Sequence, residues 1–154
     1  MGQTSAMTFQ SLHELTGSEV AVTKWFLITQ ERIDLFAQTT DDPQWIHTDR
    51  ERAERESPYG GTVAHGFLTL SLLSHFSRDV LPLENVRMRV NYGLNRVRFP
   101  GAVKMGSFIR ARFTLLTVRD FADGADLTFA VTIECQGSEK PCCVAEWIVR
   151  YYRA

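Results

Sequence analysis

The sequence predicts an α+β domain, and two observations carry that prediction. Residues 67–76 are apolar around most of a helical wheel, so the helix they form must be enclosed on several sides. Beyond it the chain divides into four β-rich segments, 86–99, 107–118, 126–136 and 144–152, set apart by Pro, Gly and polar turns. A helix-rich half followed by a run of long strands is the α+β pattern, with the sheet wrapping the buried helix. At 154 residues the chain is expected to form a single domain, 1–154, without internal repeat, linker or low-complexity segment.

The elements follow in order. Phe9 to Leu15 reads as a short helix ended by Gly17, and Glu19 to Leu27 as a strand. Thr29 is placed to cap a helix over Gln30–Thr39, with Ile28 and Ile33 as a hydrophobic staple and Ile33, Phe36 and Ala37 as the apolar stripe. Pro43 biases Asp42 away from helical geometry, which favours a turn there. The charged stretch from Thr48 to Glu56 reads as a solvated surface helix, and Ser57-Pro58-Tyr59-Gly60-Gly61 as a loop whose backbone can approach a ligand at the mouth of a site. In the strand 126–136, Leu127, Phe129, Val131, Ile133 and Cys135 alternate with Thr128, Ala130, Thr132 and Glu134, as on a half-buried strand.

Composition excludes several function classes. The 17 basic and 18 acidic residues nearly cancel and form no basic run, so neither nucleic acid nor an anionic membrane is an expected partner. The three cysteines, Cys135, Cys142 and Cys143, lack metal-ligand spacing and read as reduced thiols of a cytoplasmic protein. Met1 to Thr8 has neither the basic nor the apolar region of an export signal, and no stretch has the length of a membrane span. No Gly-x-Ser-x-Gly elbow and no His-x-x-x-His or paired-Cys motif is present, so the expectation is chemistry without metal or cofactor.

The chemistry-bearing segments are Asp42-Pro43-Gln44-Trp45-Ile46-His47 and, eighteen residues after His47, His65-Gly66. A carboxylate and an imidazole five positions apart can converge on one water from a turn. A glycine amide at the start of a buried helix can stabilise negative charge developing on a carbonyl oxygen. Taken singly, an Asp before Pro is commonly a turn former, and Gly66 also suits a helix start where a side chain would clash.

Together with Ala64-His65-Gly66-Phe67 and Asn91-Tyr92-Gly93-Leu94-Asn95-Arg96-Val97-Arg98-Phe99-Pro100, the Asp42 to His47 segment resembles the MaoC-like dehydratases, the group of (R)-specific enoyl-CoA hydratases with nodulation protein N relatives. The resemblance spans about 26–152 and implies a hot-dog fold, an antiparallel sheet wrapped around a long central helix, usually as a homodimer. It implies reversible addition of water to a trans-2-enoyl thioester, carried by coenzyme A or acyl carrier protein. By the same resemblance Asp42 and His47 hold the water and exchange the proton, and the Gly66 amide faces the thioester oxygen. Gln44 stands where many (R)-specific hydratases have Asn, a departure that bears on pocket depth and matches the nodulation protein N branch. Ser74 matches a serine found near the catalytic Asp, although a mid-helix Ser also bonds the preceding turn. Asn91 and Tyr92, with Asn95, line an acyl tunnel or simply pack. Arg96, Arg98, Arg110 and Arg112 offer phosphate contacts or are plain surface. Asp41 reads as a turn residue and His65 as a structural residue bonded to backbone. A thioesterase and a non-catalytic acyl-thioester binding protein remain as alternative functions.

Overall fold

The first helical element among the described residues is a 3₁₀ helix, Gln10–Leu15, that buries Leu12 and is followed by Gly17 at φ 86°. A computed structural model describes residues 7–154. The strand expected over Glu19–Leu27 is two strands, β1 (Glu19–Val22) and β2 (Phe26–Leu27), both paired with the later strand β4 (Phe108–Phe121). Thr23 is the cause of the break. Its backbone N–H donates to the Ala111 carbonyl, while its hydroxyl, in place of its own carbonyl, accepts from the Ala111 N–H at 2.9 Å.

Helix α1 (Gln30–Thr40) starts where the cap predicts. The Thr29 hydroxyl accepts from the Arg32 N–H at 3.3 Å, and Ile28 and Ile33 are fully buried beside it. It ends on Asp41 in the left-handed conformation, φ 53°, which Asp tolerates better than most side chains. The segment after Pro43, expected as a turn, contains one helical turn, α2 (Trp45–Thr48). Helix α3 (Arg50–Glu56), capped by Asp49, is exposed except for Ala53.

The expected central helix is a helical run in three pieces: α4 (Gly66–Ser71), α5 (Leu73–Phe76) and a 3₁₀ turn, Ser77–Asp79. At the first joint the Ser71 hydroxyl donates to the Phe67 carbonyl at 2.7 Å, and the Leu72 N–H is shared between the carbonyls of Leu68 and Thr69. Such back-bonding bends helices and tightens them towards 3₁₀ geometry.

Four long strands complete the sheet: β3 (Val86–Arg98), β4, β5 (Gly124–Cys135) and β6 (Cys143–Arg153). The six strands form one antiparallel sheet in the order β1-β4-β5-β6-β3, with β2 also on β4. The alternation expected in β5 holds as far as Ile133, since Leu127, Phe129, Val131 and Ile133 are buried and their neighbours half-buried, whereas Cys135, expected in the same set, is half-buried at the strand end. They join Phe113 and Leu115 of β4 and Trp147 and Val149 of β6 in a core closed by Leu68, Leu72, Leu73 and Phe76 of the helical run. Strand β3 differs: it is a sheet edge on which Met88, Val90, Tyr92 and Leu94 are exposed. Among the described residues no helix is long and apolar enough to cross a membrane.

Candidate active site

The centre of the site is His47, which one helical turn lifts into the protein until it is 7% exposed. Its Nδ1 lies 2.6 Å from the Val63 carbonyl oxygen. A carbonyl only accepts, so Nδ1 carries the proton and Nε2 keeps its lone pair in the neutral ring. The backbone is held as firmly. The Gln30 side-chain amide of α1, itself buried, donates to the His47 carbonyl at 2.7 Å and to Asp34 at 2.8 Å, and accepts from the Thr62 hydroxyl. The Val63 N–H donates to the Ile46 carbonyl, joining α2 to the segment that leads into α4.

Asp42 approaches from the loop after α1. Its side chain is 54% exposed, and its carboxylate Oδ2 lies 3.8 Å from Nε2 of His65. That nitrogen is also 3.0 Å from the Asp42 backbone carbonyl, to which it donates. The His65 ring is 4% exposed and stacks on the His47 ring, with centroids 3.7 Å apart and planes 21° from parallel. Phe36 of α1 lies on its surroundings at 5.0 Å, and His65 Nδ1 is buried without a hydrogen-bond partner.

Burial is the main reason that the His47 imidazole is held below the ordinary histidine pKa, and the nearby His65 lowers it further. The bond to the Val63 carbonyl and the Asp42 carboxylate oppose both effects. The ring is thus a neutral base at neutral pH. One nitrogen or oxygen of each of Asp42, His47 and His65 lies within 4.8 Å of the others, a spacing that three metal ligands also show. The two imidazoles lie face to face, with planes 21° from parallel.

Gly66 follows His65 directly as the first residue of α4, where its N–H has no intrahelical acceptor. A Cβ there would lie 2.9 Å from the Phe99 ring, so the glycine also admits the end of β3 to the site. The clash expected for a side chain at this helix start is thus with the Phe99 ring.

The other sequence-derived candidates are dispersed. Gln44 is exposed at the N-cap of α2 and makes no capping bond with its side chain. Ser74 and Asn91 meet in a cavity of about 380 Å³ between the helical run and β3, with Leu70, Ser71, Leu94 and Trp147; Asp42 and His47 do not line it. Tyr92 points to the other sheet face, beneath the Arg150 guanidinium at 3.9 Å from its ring centroid. Strand alternation separates it from Asn91. Arg110 and Arg112 both bind Glu134, at 2.6 and 2.7 Å, and Arg112 also binds Glu19, so these two are engaged within the sheet. Arg96 and Arg98 on β3 are exposed. The sequence reading set His65 aside as structural; it does bond backbone, but it also packs on the base. Gln30 and Thr62 had no sequence signal at all, because their roles arise only when α1 meets the 62–65 segment.

The sequence model described as MaoC like domain matches residues 11–134. The chain is 47% identical over 148 residues to 3-hydroxyacyl-thioester dehydratase Z of Mycobacterium tuberculosis, covering 94% of this chain and 97% of that protein. It is 44% identical over 148 residues to nodulation protein N of Rhizobium leguminosarum bv. viciae, covering 89% and 91%. The unliganded structure of R-hydratase PhaJ1 from Pseudomonas aeruginosa superposes with a TM-score of 0.69 at 21% identity, over 90% of this chain and 83% of that one, which shows a shared hot-dog fold.

Proposed function

The chain belongs to the MaoC-like domain family, and from that membership we propose that it is a 3-hydroxyacyl-thioester dehydratase, working reversibly as an (R)-specific enoyl-CoA hydratase. The observation that carries the reading is the buried His47, whose Nδ1 is committed to the Val63 carbonyl and which is clustered with Asp42 and His65, one polar atom of each lying within 4.8 Å of the others. In the hydration direction a water lies between His47 Nε2 and the Asp42 carboxylate. His47 takes a proton as the water oxygen bonds to the β-carbon, and the double-bond electrons move towards the thioester oxygen. The Gly66 N–H donates to that oxygen, where charge grows only as the reaction proceeds. The pair returns a proton to the α-carbon, so one water is added with no net change at the site. Gln44 at the loop rim and the Ser74–Asn91 cavity serve substrate placement.

The test is stereochemical. With (R)- and (S)-3-hydroxyacyl-CoA supplied separately, enoyl-CoA is expected from the (R) isomer alone. Release of free thiol from saturated acyl-CoA would instead mark a thioesterase, and tight binding with no product in either direction a binding protein.

The pH dependence follows from the state of His47. Because its pKa is lowered, the acid limb of kcat/KM is expected to have its midpoint below pH 6.5, the ordinary histidine value, with activity lost as His47 takes up its proton. A rate profile against pH with crotonyl-CoA reads this limb directly.

The exposed edge β3, with Met88, Val90, Tyr92 and Leu94 uncovered, supports a homodimer formed by pairing this edge with that of a second copy. Light scattering at micromolar concentration is expected to give twice the chain mass, and Val90→Lys to give the single mass. We place the enzyme in the cytoplasm, where the free thiols Cys142 and Cys143, pushed by burial up to about 12 and about 11, remain protonated and unreactive.

A further inference from the structure

We propose that His65 is a positioning residue of this site, one imidazole that holds the Asp42 loop and the His47 ring to each other. The proposal rests on the hydratase reading for its kinetics but not for its geometry. His65 is in direct contact with both members of the pair: it donates from Nε2 to the Asp42 carbonyl at 3.0 Å and stacks on His47 at 3.7 Å.

The two contacts do different work. The Nε2 bond fixes an otherwise exposed loop residue whose carboxylate has, in that ring, its near neighbour at 3.8 Å. The stack covers one face of His47 and keeps water from it, and burial is the largest influence holding His47 as the free base. The charged or titratable groups that act on the His47 charge are His65 from the head of α4 and Asp42 from the loop; on α1, Asp34 shares the Gln30 amide with the His47 backbone carbonyl and not with the ring, and Phe36 is apolar. The donor bond also fixes the His65 tautomer. With the proton on Nε2, Nδ1 is left bare, in agreement with its burial without a partner.

Two variants separate the contacts. His65→Gln keeps an amide donor for the Asp42 carbonyl but removes the ring; His65→Phe keeps the ring but removes the donor. In His65→Gln the acid limb of kcat/KM is expected to move to higher pH by about half a unit or more, because His47 is rehydrated and loses the His65 influence, both of which raise its pKa. In His65→Phe, which keeps the burial but loses the His65 influence, the limb is expected to move up less than in His65→Gln while kcat falls by roughly tenfold to a hundredfold, with KM changed less than about threefold, as for a misplaced catalytic group. A residue that only fills space would lower both kinetic constants with thermal stability and leave the limb in place in both variants. That pattern, or unchanged kinetics in both, would overturn the proposal. A third measurement needs neither turnover nor a folded variant: the imidazole nitrogen spectrum of the wild-type protein is expected to show Nδ1–H on His47 and Nε2–H on His65. The opposite tautomer on His65 would overturn the proposal even where hydratase turnover is found, and the expected one would sustain it even where turnover is absent.

Discussion

Asp42→Asn and His47→Gln are each expected to lower kcat/KM for enoyl-CoA hydration by roughly 10² to 10⁴, the usual contribution of a placed acid or base. Their structural consequences differ. The Asp42 side chain is more than half exposed, so its amide variant should unfold within a few degrees of the wild type. His47 is buried and bonded to the Val63 carbonyl, so its replacement should also cost about 1–3 kcal/mol, the ordinary penalty for disturbing a buried hydrogen bond. On the proposed mechanism the two groups act on one water, so the double variant should be scarcely slower than the worse single one. Steady-state kinetics with thermal melts on the same samples check all three statements. An Asp42→Asn protein with near-wild-type turnover would remove the pair from the mechanism.

The largest expected effect on stability lies away from the site. Phe113 is fully buried in β4, with the Phe129 ring at 6.0 Å in an edge-on arrangement and Trp147 at 6.3 Å. Phe113→Ala leaves a void that three long strands cannot collapse without losing register, so a cost of about 3–5 kcal/mol is expected. Set against a total of about 5–15 kcal/mol for a domain, this moves the urea midpoint substantially and can leave a fraction unfolded at 37 °C. The folded fraction should retain its chemistry, since Phe113 touches neither arm of the acid–base pair. A denaturation curve paired with activity per folded molecule separates packing from catalysis.

Much of the fold was legible because it rests on local rules. Thr29 caps α1, Ile28 and Ile33 close its first turn, and the period-two pattern of β5 is the pattern of its burial. Where expectation and structure part, one side-chain hydrogen bond is responsible. The Thr23 hydroxyl takes a ladder position and divides the first strand; the Ser71 hydroxyl bonds back one turn and divides the central helix. Neither is visible in hydropathy, since Thr suits a strand and Ser is tolerated in a helix.

The site was legible at the level of motif but not of architecture. Asp42, His47 and Gly66 come from two short segments whose chemistry can be named from residue type, and the structure brings those segments together through Val63 and His65. Ser74, Asn91 and Tyr92 were grouped with them in sequence, yet helix and strand geometry carry them elsewhere. Eight residues along the helical run separate Ser74 from Gly66, and strand alternation sends Asn91 and Tyr92 to opposite faces. The stacked His65 was the hardest to foresee, because its partner lies eighteen positions away and the contact is between two rings.

The most direct test of hydration at this site is the enoyl-thioester absorbance on mixing the protein with crotonyl-CoA, with Asp42→Asn run in parallel. A steady fall with the wild-type protein that the variant lacks is the expected result. Equal falls in both samples would contradict the assigned role of Asp42, and no fall with crotonyl-CoA or any longer trans-2-enoyl-CoA would contradict the hydratase itself.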